Sequence, residues 1–528
     1  MKRWILMIWG VLLFASCYDD KGNYDYVDIG DLTITGIESD RWYELFAFSD
    51  TLHIPVEILS TRYVNGEMPY KYEWKLEGAN DKTHSGDTVL DYTISREKDL
   101  HIVPMMNAGD YFGFFMVTDT ILGLREKVDF FVRLRTSTSE GWMILCEQDG
   151  KARLDWISNI SATEDRIYRD LWGDLDVELG KPFGLSFAHY PSGTNRYVYV
   201  ENGVFNLDKE DAHVGEDNNI RWRFGDQPDR LQGAANQIVW RNNSRDLLIS
   251  RDKDLYIKGT NSSAIYGFPI NKTVGGGRYD VAPFIGYAYG KNDYGNPSPI
   301  FGASIALYDE TNRRFLELPD VGTDIPRTMT FIAGGEQNFN AQTGRDMLFM
   351  DWTTDAHVFA VLQGPGTDDM YVYGIKMQKE GNTQTHYSLL KRPNNDKITH
   401  FAIHSMHKYL FYSTDKGEIF RYDLSHPNDE AQKVLSFPGE TITALKVNKF
   451  VFPGKVNKYA SWELERENRL VIGSYITAEA EQGNDRDCGI MRTYNVPDLR
   501  QPMEDKQVKF HDKLGKIVDI VYRERDSK

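Results

Sequence analysis

The chain has 528 residues, of which 41% are hydrophobic, and a formal net charge of −17 at pH 7. Its length predicts two to four domains, and its apolar content is ample for sizeable cores. The acidic balance argues against a nucleic-acid partner, which needs a basic surface, and against electrostatic adhesion to an anionic membrane.

Residues 1–16 have the pattern of a signal peptide. The basic pair Lys2-Arg3 precedes an apolar run from Trp4 to Phe14, and two small residues stand before Cys17. The run is too short for a permanent membrane span, and cleaved secretory segments have this order of residues. We therefore expect cleavage before Cys17 and lipidation of that residue, so that acyl chains alone hold the protein to a membrane. An ordinary signal peptide with a chance cysteine stays open, since Phe14 stands where leucine is more usual.

Residues 17–30 are polar and have no periodicity, which predicts a lipidated tether. The stretch Tyr18-Asp19-Asp20-Lys21 resembles the export signal that sends lipoproteins of Bacteroidetes to the outer face of the outer membrane. A solvated linker with no addressing role is the alternative.

Residues 31–136 are predicted to form an immunoglobulin-like β-sandwich, because short alternating runs recur with turn residues between them. Trp74 lies in the middle of one run and is the expected core aromatic. The predicted strands are Thr51–Val56, Tyr70–Leu76, Val89–Ile94, Asp99–Val103, Asp110–Val117 and Lys127–Leu134.

Within that region, Ala108-Gly109-Asp110-Tyr111 precedes a strand that ends in Val117-Thr118-Asp119. This pattern resembles the polycystic-kidney-disease (PKD) type of sandwich, in which Gly-x-Tyr opens a strand that closes in Val-x-Asp. The resemblance implies a PKD-like domain. No cysteine pair flanks Trp74, so a true immunoglobulin domain is not expected.

Residues 137–528 contain a degenerate hairpin repeat, which is typical of a β-propeller. Seven units, each a pair of apolar runs joined by a turn, predict seven blades, with six or eight left open. The units are Gly141–Ile157, Arg196–Leu207, Asp246–Ile257, Ala303–Leu318, His357–Ile375, Lys408–Leu424 and Arg469–Val496. Additional inner strands are predicted at Gln237–Trp240, Ile398–His404 and Ile442–Val447. Two stacked β-domains with chance hairpins are the alternative.

The last apolar run, Ile517–Tyr522, has no hairpin of its own, and the first hairpin lacks an inner strand. The simplest arrangement makes the C-terminal strand complete the first blade. Such closure would remove an exposed sheet edge, which otherwise invites aggregation.

Cys146 and Cys488 lie in apolar, strand-like surroundings. Buried free thiols are expected, and a disulfide between them stays open because an oxidising exterior would permit it. No Cys-x-x-Cys or zinc spacing occurs.

His400 and His404 would share one face of a predicted strand, with His407 nearby. Two imidazoles on one face can share a metal, but a partly exposed strand and turn explains them as well. We predict no metal site and no cofactor.

Ser413, Asp415 and Gly417 overlap the start of the Asp-box found in sialidases, although Ile419 and Phe420 replace the Thr and Trp that would continue it. An aspartate in a turn can accept hydrogen bonds from backbone N–H groups, which is a structural role. No catalytic residue is assigned from this motif.

Two regions are candidates for contact with a ligand or a partner. Trp222 lies between Arg221 and Arg223, and tryptophan and arginine are frequent at binding hot spots. The second region is rich in Tyr, Gly and Asn, the residues of adaptable recognition loops, and includes Tyr287, Tyr289 and Tyr294. Packing between blades is the alternative for both.

The order of these features, from Ser16-Cys17-Tyr18 through the PKD-like sandwich to the propeller-like remainder, resembles the PKD-like lipoproteins of Bacteroidetes. The resemblance implies a non-enzymatic lipoprotein on the outside of the outer membrane. Its implied role is that of an accessory binding or scaffold subunit of a SusC/SusD-type transporter that takes up oligopeptides or glycans. A surface glycan hydrolase or lyase built on the propeller is one alternative, and a purely structural subunit is another.

Overall fold

The computed structural model describes residues 30–47, 49–63, 68–78, 93–106, 108–190, 193–225, 234–237, 245–259, 265–273, 275–291, 297–320, 325–333, 337–449, 461–498 and 500–525. The chain divides into two compact units between Thr136 and Ser137. The signal peptide, the tether up to residue 29 and Cys17 lie outside the described residues.

The described part of the first unit contains strands of three to 11 residues. They are β1 (Leu32–Thr35), β2 (Trp42–Phe46), β3 (Leu52–Ile54), β4 (Glu57–Ser60), β5 (Tyr70–Gly78), β6 (Thr93–Ser95), β7 (Leu100–Ile102), β8 (Gly109–Asp119) and β9 (Arg125–Arg135). Five of them form a sheet in the order β2-β9-β8-β5-β6, and β1-β4 and β3-β7 form two small sheets. The predicted sandwich is confirmed, apart from residues 89–92, which lie outside the described ranges.

The core of this sandwich is aromatic. Trp74 is fully buried, and its ring lies 4.4 Å from that of Phe115 and 5.4 Å from that of Phe130. Along β8 and β9, buried positions alternate with more exposed ones, as expected for strands with one face on a core. The PKD-type motif closes at Asp119, whose carboxylate accepts hydrogen bonds from the amides of Ile121 and Leu122.

The second unit begins with strands β10 (Gly141–Gln148), β11 (Lys151–Asn159) and β12 (Asp165–Tyr168). Further strands follow at β13 (Pro182–Tyr190), β14 (Gly193–Val200), β15 (Gly203–Asn206), β16 (Ala234–Gln237), β17 (Arg245–Ile249), β18 (Leu255–Gly259), β19 (Tyr289–Lys291), β20 (Pro297–Pro299), β21 (Ile305–Asp309), β22 (Arg314–Leu318) and β23 (Arg327–Thr328).

The remaining strands are β24 (Asp346–Trp352), β25 (His357–Gln363), β26 (Met370–Lys376), β27 (Thr383–Leu389), β28 (Ile398–His404), β29 (Tyr409–Thr414), β30 (Glu418–Asp423), β31 (Gln432–Ser436), β32 (Glu440–Val447), β33 (Arg469–Ile476), β34 (Gly489–Asn495), β35 (Lys509–Leu514) and β36 (Lys516–Arg523). The described helical segments are short: α1 (Ser461–Leu464), α2 (Thr477–Glu481) and 3₁₀ turns at Glu216–Asn218, Ile220–Arg223 and Glu465–Asn468.

These strands form the blades of a β-propeller. Among the described residues they make seven antiparallel sheets of three or four strands and one two-stranded sheet, β19-β20. Each of the seven hairpins predicted from the sequence is present as a pair of adjacent strands. The blade count itself stays a prediction. Of the inner strands, β28 and β32 are confirmed, whereas residues 238–240 lie outside the described ranges.

The C-terminal strand completes the first blade, as the sequence predicts. β36 pairs antiparallel with β10 in a sheet of order β12-β11-β10-β36, and Trp142 lies opposite Tyr522. Because β10 has buried residues on both faces, its apolar run is continuous rather than alternating. The two ends of the propeller unit are therefore joined by a strand ladder.

The two cysteines of the propeller unit are free and buried. Burial raises the pKa of the Cys488 thiol to about 11 and that of Cys146 well above its ordinary value. The expectation of buried free thiols is confirmed, and the disulfide is not formed.

Candidate functional site

A cavity of about 270 Å³ lies inside the propeller unit, and we call it the central cavity. Its wall comes from blades that are distant along the chain, since β10, β13, β24, β32 and β36 all contribute residues. The lining residues are Trp142, Ser186, Phe187, Tyr287, Tyr289, Trp352, Lys446, Val447, Asn448, Lys449, Val471, Ile520, Val521, Tyr522 and Glu524. Ligand sites are commonly concave places of this kind, where several elements converge.

Aromatic rings form much of the apolar wall. Tyr289 stacks on Trp352 at 4.8 Å between ring centroids, and Tyr287 lies 5.5 Å from the same tryptophan. Across the first blade, Trp142 meets Tyr522 edge-on at 4.8 Å. These ring pairs fix one another's positions, so the wall is preformed.

Tyr287 and Tyr289 are therefore not exposed loop residues. Their side chains are only 6% and 5% exposed, because they pack between inner elements of the propeller. The burial of these two residues agrees with the alternative of packing between blades, and contact with a ligand stays a prediction. Tyr294 lies outside the described residues.

The charged groups at the cavity are paired with partners. Lys446 Nζ lies 2.5 Å from Asp519 Oδ1, and Lys449 Nζ lies 2.5 Å from Asp351 Oδ2. Lys449 also sits 4.9 Å above the Trp352 ring. The wall thus combines donors and acceptors with little net charge.

Three buried polar atoms on the lining residues lack a hydrogen-bond partner within the described part of the chain. They are the hydroxyl of Tyr287, Nδ2 of Asn448 and Oε1 of Glu524. An unpaired buried polar group costs about 1–3 kcal/mol, so native structures keep few of them without a reason. None of the three atoms has a surface that a water molecule could touch, and other buried atoms in the described part of the chain share this feature, so they do not mark the cavity as a ligand site.

Glu524 also belongs to a buried ion cluster beside the cavity, which we define as Glu140, Glu463, Glu524, Arg466 and Arg525. Arg466 Nη2 donates to Glu524 Oε2 at 2.7 Å, and Arg525 Nη1 lies 3.2 Å from Glu463 Oε1. Burial raises the pKa of Glu524 to about 7, and the carboxylates of Glu140 and Glu463 act in the same direction against Arg466. A carboxyl group that titrates near neutral pH at a cavity is typical of functional sites.

Glu524→Gln is expected to flatten the pH dependence of stability. Since the folded chain holds the Glu524 proton more tightly than the unfolded chain, stability falls as pH rises from about 4.5 to about 7. This residue should account for about 1–3 kcal/mol of that fall. Urea unfolding of the native protein and of Glu524→Gln between pH 4.5 and 8 measures this contribution.

The readout is the slope of the free energy of unfolding against pH. The absolute free energy is less informative, because replacing the carboxylate beside Arg466 also changes it by an amount that does not depend on pH. The exposed Glu504 provides the matched control, and Glu504→Gln should leave the slope unchanged. Parallel pH profiles for the native protein and Glu524→Gln would contradict a raised pKa at this position.

Trp222 forms a separate feature on the surface. Its side chain is 51% exposed on the 3₁₀ turn Ile220–Arg223, and the guanidinium of Arg221 lies 4.4 Å over its ring. Arg221 also pairs with Glu216 at 3.5 Å. Trp222, Arg221 and Arg223 do not line the central cavity, so the structure places the predicted contact residues in two different locations.

The histidine motif has a structural explanation. His404 is fully buried on β28, and its Nδ1 accepts a hydrogen bond from the amide of His407 at 3.2 Å. Burial lowers the pKa of His404 to about 3 and also lowers that of His400, which keeps both rings neutral. Across the described ranges, no group of three or more His, Cys, Asp or Glu side chains is placed to hold a metal ion.

The Asp415 motif likewise lies in a hairpin turn between β29 and β30. Gly417 has φ of 73° there, and its amide donates to the carbonyl of Thr414 at 3.1 Å. A glycine suits this left-handed backbone conformation.

Sequence reasoning missed most of the cavity wall, including Trp142, Trp352, Asn448 and Glu524. Each lies in or beside a strand that the hydrophobic pattern does indicate, but the pattern does not say which strand ends converge. The sequence did contain one indication of the cavity wall, because Lys446 and Asn448 lie at the end of a predicted inner strand.

One protein-family model matches the N-terminal part of the chain. Residues 17–176 match the model of the PKD-like family, a stretch that includes all described strands of the first unit and continues through β10–β12. No curated protein matches the sequence. In the described ranges, no helix has the length and apolar character needed to cross a membrane.

The solved structures that match the chain are distant from it in sequence, and their TM-scores are low. A quinonprotein alcohol dehydrogenase-like protein from Bacteroides thetaiotaomicron is 11% identical with a TM-score of 0.40, and the match covers 93% of this chain and 99% of that one. The β-propeller domain of Cps50 (Swd1) from Myceliophteria thermophila is 10% identical with a TM-score of 0.34, covering 63% and 95%. A DUF4784 family protein from Bacteroides caccae is 6% identical with a TM-score of 0.27, covering 94% and 99%.

Proposed function

We propose that this chain is a surface-exposed outer-membrane lipoprotein, anchored through Cys17, that binds a small part of an oligopeptide or oligosaccharide in its central cavity. In this proposal it is a non-catalytic accessory subunit of a SusC/SusD-type uptake complex. The observation that carries the binding role is the cavity itself, with its preformed aromatic wall. The order of residues before Cys17 supports the anchor.

The decisive experiment is purification of the full-length protein from its native membrane in detergent, with mass spectrometry of the partners and of the N-terminus. The expected result is an acylated Cys17 and co-purification with an outer-membrane transporter. The matched control is Cys17→Ser, which should lose both the acyl chains and the partner. An unacylated native protein shed into the medium would overturn the proposal.

A glycan hydrolase or lyase is the second candidate, and the raised pKa of Glu524 is the observation that favours it. A carboxyl group that keeps its proton near pH 7 can act as a general acid. Hydrolysis needs a second carboxyl group in position to stabilise or attack the sugar. Release of product from a glycan panel, abolished by Glu524→Gln, would favour this candidate over simple binding.

A further inference from the structure

Two histidines lie opposite each other on the small β3-β7 sheet of the first unit. The tripeptide Leu-His-Ile occurs in both strands, as Leu52–Ile54 and as Leu100–Ile102, and the antiparallel register pairs His53 with His101. Both leucines and Ile54 are at most 2% exposed, and their burial in the sandwich core fixes this register. Both imidazoles therefore project from the solvent-exposed face of the sheet.

The two rings approach each other through the same atom. Nδ1 of His53 lies 3.3 Å from Nδ1 of His101, and the ring planes cross at 75°. N–H donors usually lie within about 3.2 Å of their acceptors, so this hydrogen bond is long. In the described part of the chain, neither ring has another hydrogen-bond partner. Strand register, rather than a network of hydrogen bonds, brings the two nitrogens together.

The separation of the two nitrogens fits a shared metal ion. A tetrahedral Zn²⁺ ion binds imidazole nitrogen at about 2.0–2.1 Å, which places two such ligands about 3.3–3.4 Å apart. A neutral imidazole can carry its proton on Nε2 instead of Nδ1. Because both rings are exposed, water can solvate Nε2–H, and both Nδ1 lone pairs then become available without net loss of a proton.

The ligand type selects the class of metal. Imidazole suits Zn²⁺, Cu²⁺ and Ni²⁺, whereas Ca²⁺ and Mg²⁺ prefer oxygen ligands. Across the described ranges, no third His, Cys, Asp or Glu side chain joins the pair to make a larger ligand group. Two positions of a tetrahedral ion are then left for water, so the site differs from closed structural zinc sites, which have four protein ligands.

We propose that His53 and His101 form a two-histidine site for a divalent transition-metal ion, Zn²⁺, Cu²⁺ or Ni²⁺. The site lies in the first unit and does not depend on the proposed role of the central cavity, so either proposal can fail alone. A bound ion would also connect β3 to β7, which share only three residue pairs. A scan for local motifs misses this site, because the two histidines are 48 positions apart.

The test is isothermal titration calorimetry of the mature full-length protein, in detergent and without a polyhistidine tag, with Zn²⁺, Ni²⁺, Ca²⁺ and Mg²⁺. We expect saturable Zn²⁺ and Ni²⁺ binding that requires both histidines, and no histidine-dependent binding of Ca²⁺ or Mg²⁺. Electron paramagnetic resonance of the Cu²⁺-loaded protein should report two nitrogen ligands. Zn²⁺ should also raise the thermal midpoint, because it binds the folded strand pair.

His53→Ala and His101→Ala are the informative variants, since each leaves a single ligand. Loss of an outer-shell partner already costs about 10–100-fold in metal affinity, so loss of a direct ligand should weaken Zn²⁺ binding by at least that factor. Both positions are exposed, so the variants should fold normally. In both variants, Zn²⁺ should no longer raise the thermal midpoint.

His213→Ala is the matched control, because His213 is an exposed histidine of the propeller unit. Its Zn²⁺ affinity should equal that of the native protein. Zn²⁺ affinity that survives either His53→Ala or His101→Ala would overturn the proposal. A loss of equal size in His213→Ala, or a Cu²⁺ spectrum with a single nitrogen ligand, would overturn it as well.

Discussion

Removal of residues 516–528 is expected to prevent the propeller unit from folding as a soluble monomer. The deletion takes away β36, in which Ile517, Ile520 and Tyr522 are at most 4% exposed. Burial of each such side chain contributes about 1.5–3 kcal/mol, and a whole domain has only about 5–15 kcal/mol of stability. The deletion also leaves the apolar strand β10 as an open edge, which favours aggregation.

Size-exclusion chromatography and near-ultraviolet circular dichroism measure this outcome. The point variant Ile520→Asp places a charge at a 1% exposed position of β36 and should have the same direction of effect. Asp512→Ala, at an exposed position on the adjacent β35, is the control and should fold normally. A monomeric, cooperatively unfolding deletion protein would show that β36 does not hold the propeller unit together.

Asp155→Ala is expected to lower the free energy of unfolding by about 3–5 kcal/mol, because it leaves the buried guanidinium of Arg153 without its charged partner. The Asp155 carboxylate is fully buried and accepts from Arg153 Nε at 2.8 Å and from Arg153 Nη2 at 3.0 Å. It also accepts from the amides of Asp170 at 2.8 Å and Gly515 at 2.9 Å. One side chain thereby connects β11 to the turn that leads into the last strand.

Chemical denaturation of Asp155→Ala beside Asp174→Ala tests this prediction, since Asp174 is exposed in the turn that follows β12. The control should change stability by less than about 0.5 kcal/mol. The double variant Arg153→Met/Asp155→Leu should lose less than Asp155→Ala alone, because no unpaired charge remains inside. A double variant that is destabilised by the sum of two large single effects would refute the ion-pair explanation.

The fold was largely predictable from local signals. Turn pairs such as Asp149-Gly150, which adopt φ of 51° and 74°, separate apolar runs and so reveal the hairpins. The closure by β36 was predictable because Ile517–Tyr522 had no neighbouring strand in sequence and the first hairpin had a place for one. Both inferences depend on counting strands, which a single sequence permits.

The candidate site was not predictable in the same way. Trp142, Trp352 and Glu524 are far apart in sequence and line the same cavity only because several blades converge there. The ending Arg523-Glu524-Arg525 has the composition of a solvated terminus, yet Arg523 is 1% and Glu524 is 3% exposed. Periodicity reports which face of a strand is apolar, and it carries no information about which polar residues share a cavity.

The position of β36 at the end of the chain has a consequence for synthesis. Asp155 and Gly515, which bond directly, are separated by 360 positions. At about 5–20 residues per second, a ribosome needs roughly 20–70 s to cover that distance. Throughout this interval the nascent chain carries β10 without its neighbour, so the first blade can be completed only after β36 has been made.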